Sequence, residues 1–175
     1  VTTASGWALS NTSKAVISFT KLAGYWGASA FHAYRSDWLL VSAYDSNPQY
    51  GQVVIVTQPN WFDEPIVKRI IATENQVVDI DFSTGDVSVD GVVLDEPYIN
   101  NRTLNSEGVQ FPVTVPENHV FVMGDNRQGS TDSRSEKIGF IHEDYILGVV
   151  KYRFMSVDEF TGKASFHPFS EWKVK

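Results

Sequence analysis

The 175-residue sequence contains no cysteine. Disulfides, thiolate nucleophiles and cysteine-held zinc or iron–sulfur centres are therefore excluded, and the redox compartment is left open. Blocks of positive charge are missing as well: 14 Lys and Arg stand against 21 Asp and Glu, for a formal charge of −7. Nucleic acid and anionic lipid both select clustered positive charge, so neither is expected as a partner. Long apolar runs are absent. No segment reaches the roughly 18 apolar residues of a membrane-spanning helix. The longest uncharged stretch near the start, Leu22 to Tyr34, is short and carries Gly, Ser and His. The N-terminus does not read as a secretory signal peptide, so the chain as written reads as soluble. Helical periodicity is scarce, with residues 12–24 and 142–147 as the short candidates.

What is present is β-forming sequence. Residues 38–44, 52–57, 65–72, 76–82, 86–94, 109–115, 119–124 and 145–154 are rich in Val, Ile, Phe and Tyr. Each is bounded by Gly, Pro, Asn or Asp, the pattern of strands. "STGD" at 83–86 and "VDGV" at 89–92 read as tight turns, since Thr-Gly and Asp-Gly tolerate positive φ. Neither a repeat nor a linker interrupts the chain. The expected fold is mainly β, one domain over 1–175 with coiled antiparallel sheets. Its core spans about 25–82 and 115–155, and a β-hairpin insertion over about 83–114 forms a smaller cap region.

One stretch departs from this plain pattern. After the apolar run ending at Met123 come Gly124, Asp125, Asn126 and Arg127, then Ser130, Asp132, Ser133 and Arg134. By composition this is an Asx-rich loop whose side chains bond nearby amides. Its order is more specific: G-D-N-R-x-x-S-x-D-S-R resembles the signature of type I signal peptidases. "PIVKRIIA" at 65–72 is similar to that family's lysine strand, and "YGQVVIVTQP" at 50–59 to the strand before it, with Gln52 in place of Asp. "DGVVLDEPYI" at 90–99 is similar to its Asn-Gly…Glu-Pro-Tyr hairpin, "VPENHVFVMGDNR" at 115–127 to its approach to the signature, and "WLLVS" at 38–42 to the strand after the nucleophile. The likeness covers about residues 37–154 in the family's order.

The resemblance implies a signal-peptidase-like fold and a serine endopeptidase that cuts secretory preproteins after small, Ala-x-Ala-like residues. It implies a Ser–Lys dyad without histidine, metal or cofactor, working at the extracytoplasmic face of the bacterial cell membrane. A lysine base must be neutral, yet its ordinary pKa is about 10.4. Bringing it near 8 takes roughly 3–4 kcal/mol of bias against the charged form, for which burial is the available means. Lys68 suits this: on a strand it shares a face with Ile66 and Ile70. The plain alternative is a rim lysine that snorkels to water. By position in the motif, Ser130 orients the amine. Gly124 and Asn126 make the turn, Asp125 and Arg127 support it, and Asp132 pairs with Arg69 or Arg134.

The nucleophile segment departs from the family pattern G-x-S-M-x-P-T-L-x-x-G-D. Here Trp26 to Ser42 reads "WGASAFHAYRSDWLLVS". With a one-residue deletion, Ser29 is the nucleophile, its amide faces the oxyanion, and Gly27 allows close backbone approach. Without the deletion the position falls on Ala28 and cleavage is lost. The resemblance thus leaves two expectations. One is a processing peptidase acting on signal peptides. The other is an impaired relative that binds peptides or pilin-like substrates as a pilus-assembly factor. Family members carry N-terminal membrane spans, so this chain reads as a trimmed ectodomain or an aberrant member. An edge bearing Trp7, Trp26 and Trp38 would rest on the membrane surface. Two further patterns are set aside. "SFTK" at 18–21 matches Ser-x-x-Lys but lacks partner motifs. His32, His119, His142 and His167 lack metal-ligand spacing and read as half-buried histidines.

Overall fold

The computed structural model describes residues 3–5, 18–23, 35–43, 47–57, 65–158 and 161–166. The fold is mainly β, with two antiparallel sheets. The larger holds β1 (Thr3–Ser5), β2 (Ser18–Ala23), β3 (Arg35–Ala43), β4 (Val53–Val56), β5 (Ile66–Ala72), β10 (His119–Met123), β11 (Ile141–His142), β12 (Ile146–Asp158) and β13 (Ala164–Phe166). Its order is β1-β2-β3-β12-β4-β5-β10-β11, with β13 beside β12. Because β1 also pairs with β5 through Thr3 and Ile66, the strands from β1 to β5 close into a ring. The strand β5 turns one edge to β4 and shares the other between β1 and β10.

The smaller sheet has the order β8-β7-β6-β9, from β6 (Val77–Asp81), β7 (Asp86–Val89), β8 (Val92–Val93) and β9 (Val113–Thr114). It runs from Val77, where the sequence reading places a cap insertion over about 83–114. The β7–β8 turn takes positive φ at Asp90 (52°) and Gly91 (78°). These are the dihedrals of a two-residue hairpin, and Asp-Gly supplies them.

Among the described residues three apolar clusters hold the sheets. Val54, Val56, Ile66, Ile70, Val120, Val122, Ile141 and Val149 pack on one side of β4 and β5. Val53, Ile55 and Val67 pack with Leu39, Val41 and Val150 on the other. Phe121, Met123, Ile71 and Ala72 meet Val78, Ile80, Val87 and Val89 of the smaller sheet. Alternation along β4 and β5 thus sends side chains into two different cores. The consequence for β5 is burial of all seven residues.

The strand signals hold along most of the chain, and three expectations need correction. The helix candidate at 12–24 is a strand where described: Ser18–Ala23 pairs with both β1 and β3. A short segment lying between two strands gains a full set of ladder bonds by extending, which overrides weak helical periodicity. The candidate at 142–147 is a single 3-10 turn, Glu143–Tyr145, after which Ile146 enters β12 opposite Val56. The strand expected at 109–115 shortens to Val113–Thr114. Pro112 has no N–H to give a ladder, so pairing begins after it.

Candidate active site

The site is built on β5 and on the loop that follows β10. Lys68, in the middle of β5, is 5% exposed. Its backbone lies opposite Val54 of β4, while Arg69 lies opposite Met123 of β10. With both faces of the strand covered, the lysine amine is largely withdrawn from bulk solvent. The amine instead donates to Ser130 Oγ at 2.9 Å. Burial pushes the pKa of Lys68 down, against the pull of Asp132; Arg134 adds to the fall, while Glu107 and Asp125 oppose it more weakly. A neutral amine is the form that can accept a proton.

The loop 124–135 carries Ser130 to the lysine. Ser133 anchors it to β10 as an extra rung: its N–H bonds Val122 O at 3.1 Å and its Oγ accepts from Val122 N at 3.0 Å. The Gly124 N–H donates to Asp132 Oδ2 at 2.9 Å. Gly124 is needed for space rather than for a left-handed turn: a Cβ there would overlap Oγ and Cβ of Ser130. The turn itself falls at Asn126, whose carbonyl accepts from Gly129 N at 3.1 Å.

Three buried arginines fix this loop. Arg134 forks onto Asp132, with Nε to Oδ1 at 2.8 Å and Nη2 to Oδ2 at 2.9 Å, both side chains fully buried. Of the two partners open to Asp132, the structure selects Arg134. Arg69 pairs instead with Asp125, Nε to Oδ1 at 2.8 Å and Nη2 to Oδ2 at 2.7 Å. Its Nη1 donates to Gly51 O at 2.8 Å, and its guanidinium lies 4.0 Å over the Tyr98 ring. Arg127 binds both oxygens of Glu96 and donates to Thr103 Oγ1 at 2.6 Å. Paired, planar guanidiniums of this kind set geometry rather than add much net stability.

Glu96, Tyr98, Thr103 and Glu107 were not singled out as site residues from sequence. All four lie on residues 94–109, in the connection between β8 and β9 of the smaller sheet. The signal was a charge count. Arg69, Arg127 and Arg134 needed buried partners, and the signature supplies only Asp125 and Asp132.

Ser29 and Gly27 lie outside the described residues, as do Trp7, Trp26, His32, His167 and the side chain of Trp38. The structure therefore brings together Lys68, Ser130, Arg69, Gly124, Asp125, Asn126, Arg127, Asp132 and Arg134. The Ser18 to Lys21 pattern lies in β2, paired with β3. Among the described residues no group of three or more His, Cys, Asp or Glu is placed to hold a metal ion. Nor is any helix among them long and apolar enough to cross a membrane.

This arrangement can be set beside known proteins. The family model described as signal peptidase, peptidase S26, matches residues 16–155. The chain belongs to that family. A protein of Synechocystis described as a probable signal peptidase I-1 is 33% identical over 134 residues, 72% of this chain and 64% of that protein. The signal peptidase I of Mycobacterium tuberculosis is 37% identical over 122 residues, 64% of this chain and 40% of its own. The signal peptidase I S of Bacillus subtilis is 33% identical over 117 residues, 62% and 60%. The chain thus spans 40% to 64% of the length of these signal peptidases. A crystal structure of a signal peptidase I from Enterococcus faecalis V583 superposes with a TM-score of 0.48 at 27% identity. It covers 59% of this chain and 96% of that one.

Proposed function

We propose that this chain is a Ser–Lys endopeptidase that removes N-terminal signal peptides from secreted preproteins after small residues. The observation that carries the reading is the buried Lys68 amine held by Ser130 Oγ at 2.9 Å, within a chain of the signal peptidase family. In this reading Lys68 is the general base and Ser130 orients it. Ser29 is the nucleophile, and its own amide, with close approach allowed by Gly27, binds the oxyanion. Arg69, Asp125, Asn126, Arg127, Asp132, Arg134 and Gly124 hold the floor.

The chemistry follows from those roles. Neutral Lys68 takes the proton from Ser29 Oγ as the oxygen attacks the scissile carbonyl. The tetrahedral oxyanion accepts hydrogen bonds that strengthen as charge develops. The lysine ammonium then gives its proton to the departing amine, and an ester to Ser29 remains. Water, losing a proton to Lys68, attacks that ester; the same proton returns to Ser29 as the second product leaves. Substrates are preprotein segments presented at the extracytoplasmic face of the bacterial membrane.

A second reading is a protein that keeps the peptide groove and has lost cleavage. The altered segment from Trp26 to Ser36 favours it. The relatives named above are described as signal peptidases, which gives the pilus-assembly version no support. The test is cleavage of an Ala-x-Ala peptide in detergent micelles by wild type, Ser29→Ala and Lys68→Ala. Turnover by wild type that is lost in both variants supports the dyad. Peptide binding without turnover moves the assignment to the second reading.

A further inference from the structure

The β8–β9 connection, over 94–109, places a carboxylate at the floor of the site that the dyad chemistry does not use. Glu107 Oε1 lies 3.3 Å from Arg134 Nη2, the nitrogen that also binds Asp132. The next residues lock the segment down: Gly108 bridges Ser135, and Val109 N donates to Arg134 O at 3.2 Å. Glu136 packs beside Gly108.

We propose that Glu107 is a positioning residue of the Lys68–Ser130 pair: joined through Arg134 to Asp132, it sets how much negative charge faces the lysine amine. This deepens the reading of Lys68 as the base and rests on it. The electrostatics run in both directions, as coupled sites must. Asp132, Glu107 and Asp125 favour the charged amine, while burial and Arg134 oppose it. Burial and then Asp132 push the Glu107 carboxyl up, while Arg134 and Lys68 hold it down. Arg134 can neutralise one carboxylate fully; with two beside it, one negative charge is left in reach of the lysine. Asp125 adds less because Arg69 already binds both its oxygens. The segment from the smaller sheet thus supplies a group that tunes the base in the larger one.

The experiment replaces Glu107 by Gln, which keeps the shape and an acceptor for Arg134 Nη2 while removing the charge. Two readouts are followed against pH: the 13Cε resonance of Lys68, and kcat/KM on an Ala-x-Ala peptide. The expected result is a Lys68 midpoint at lower pH, with kcat/KM at the acid end of the profile raised about two-fold or more. Glu107→Asp keeps the charge and returns the midpoint toward that of wild type. A Lys68 midpoint unmoved by E107Q would overturn the proposal, whatever the stability of the variant. Should E107Q not fold, Lys68→Met serves in reverse: it moves the Glu107 carboxyl titration upward, and an unmoved Glu107 overturns the proposal. The resonances need no turnover. A wild type without cleavage, but with a midpoint that shifts, refutes the peptidase reading and leaves the coupling standing.

Discussion

Lys68→Met keeps the length of the side chain and removes the amine from a strand buried on both faces. Taking a charge out of water opposes folding, and a well-packed apolar replacement often relieves it. The variant is expected to be more stable than wild type by about 1–2 kcal/mol at pH 7, while losing cleavage. The pH dependence has a definite sign. The folded-state pKa of Lys68 lies below its ordinary value of 10.5, so at neutral pH the unfolded chain holds the proton more readily. That penalty on folding is complete below the folded midpoint and fades as pH rises toward 10.5. The stability gap between variant and wild type should therefore narrow with rising pH. Urea unfolding of both proteins between pH 6 and pH 10 checks this, and a gap that widens would speak against a buried, depressed amine.

At the scale of elements, what matters is which ion pairs are sealed. Asp132→Ala strips the bidentate partner from a fully buried Arg134 and should destabilise the fold by about 3–5 kcal/mol, with activity falling in parallel. Arg102→Ala breaks a pair with Asp86 in which both side chains are largely exposed, 68% and 50%. It should change stability by less than about 0.5 kcal/mol. Thermal or urea melts of the two variants side by side test the contrast. The strands that could be read from sequence are those with an internal pattern. β5 declares itself by β-branched pairs, Ile66-Val67 and Ile70-Ile71, on either side of Lys68 and Arg69, and β7–β8 by Asp-Gly. The strand at Ser18–Ala23 could not be read this way, because its reason for being extended lies in its neighbours β1 and β3. Likewise the loop 124–135 was legible as a site from its order of Asp, Ser and Arg. The choice of Arg134 over Arg69 for Asp132 was not. Both guanidiniums are chemically suited, and only the placement of Asp125 against Arg69 decides between them.

For the whole molecule, the two sheets do different work. The larger closes into a ring and buries β5, and the smaller returns residues 94–109 across the site to supply Glu96 to Arg127, Tyr98 to Arg69 and Glu107 to Arg134. These contacts join residues roughly thirty apart in sequence, beyond what local pattern carries, which is why their partners were missed while the arginines were not. The entire arrangement converges on one physical outcome, a lysine amine largely shielded from bulk water and partly surrounded by paired charges. Its most direct test is a 13Cε NMR titration of the wild-type chain, with the Lys68 signal assigned by its absence from the Lys68→Met variant. A Lys68 midpoint well below the ordinary 10.5 is the predicted result. A Lys68 signal that titrates at the ordinary value, together with the other lysines, would contradict its assignment as the base.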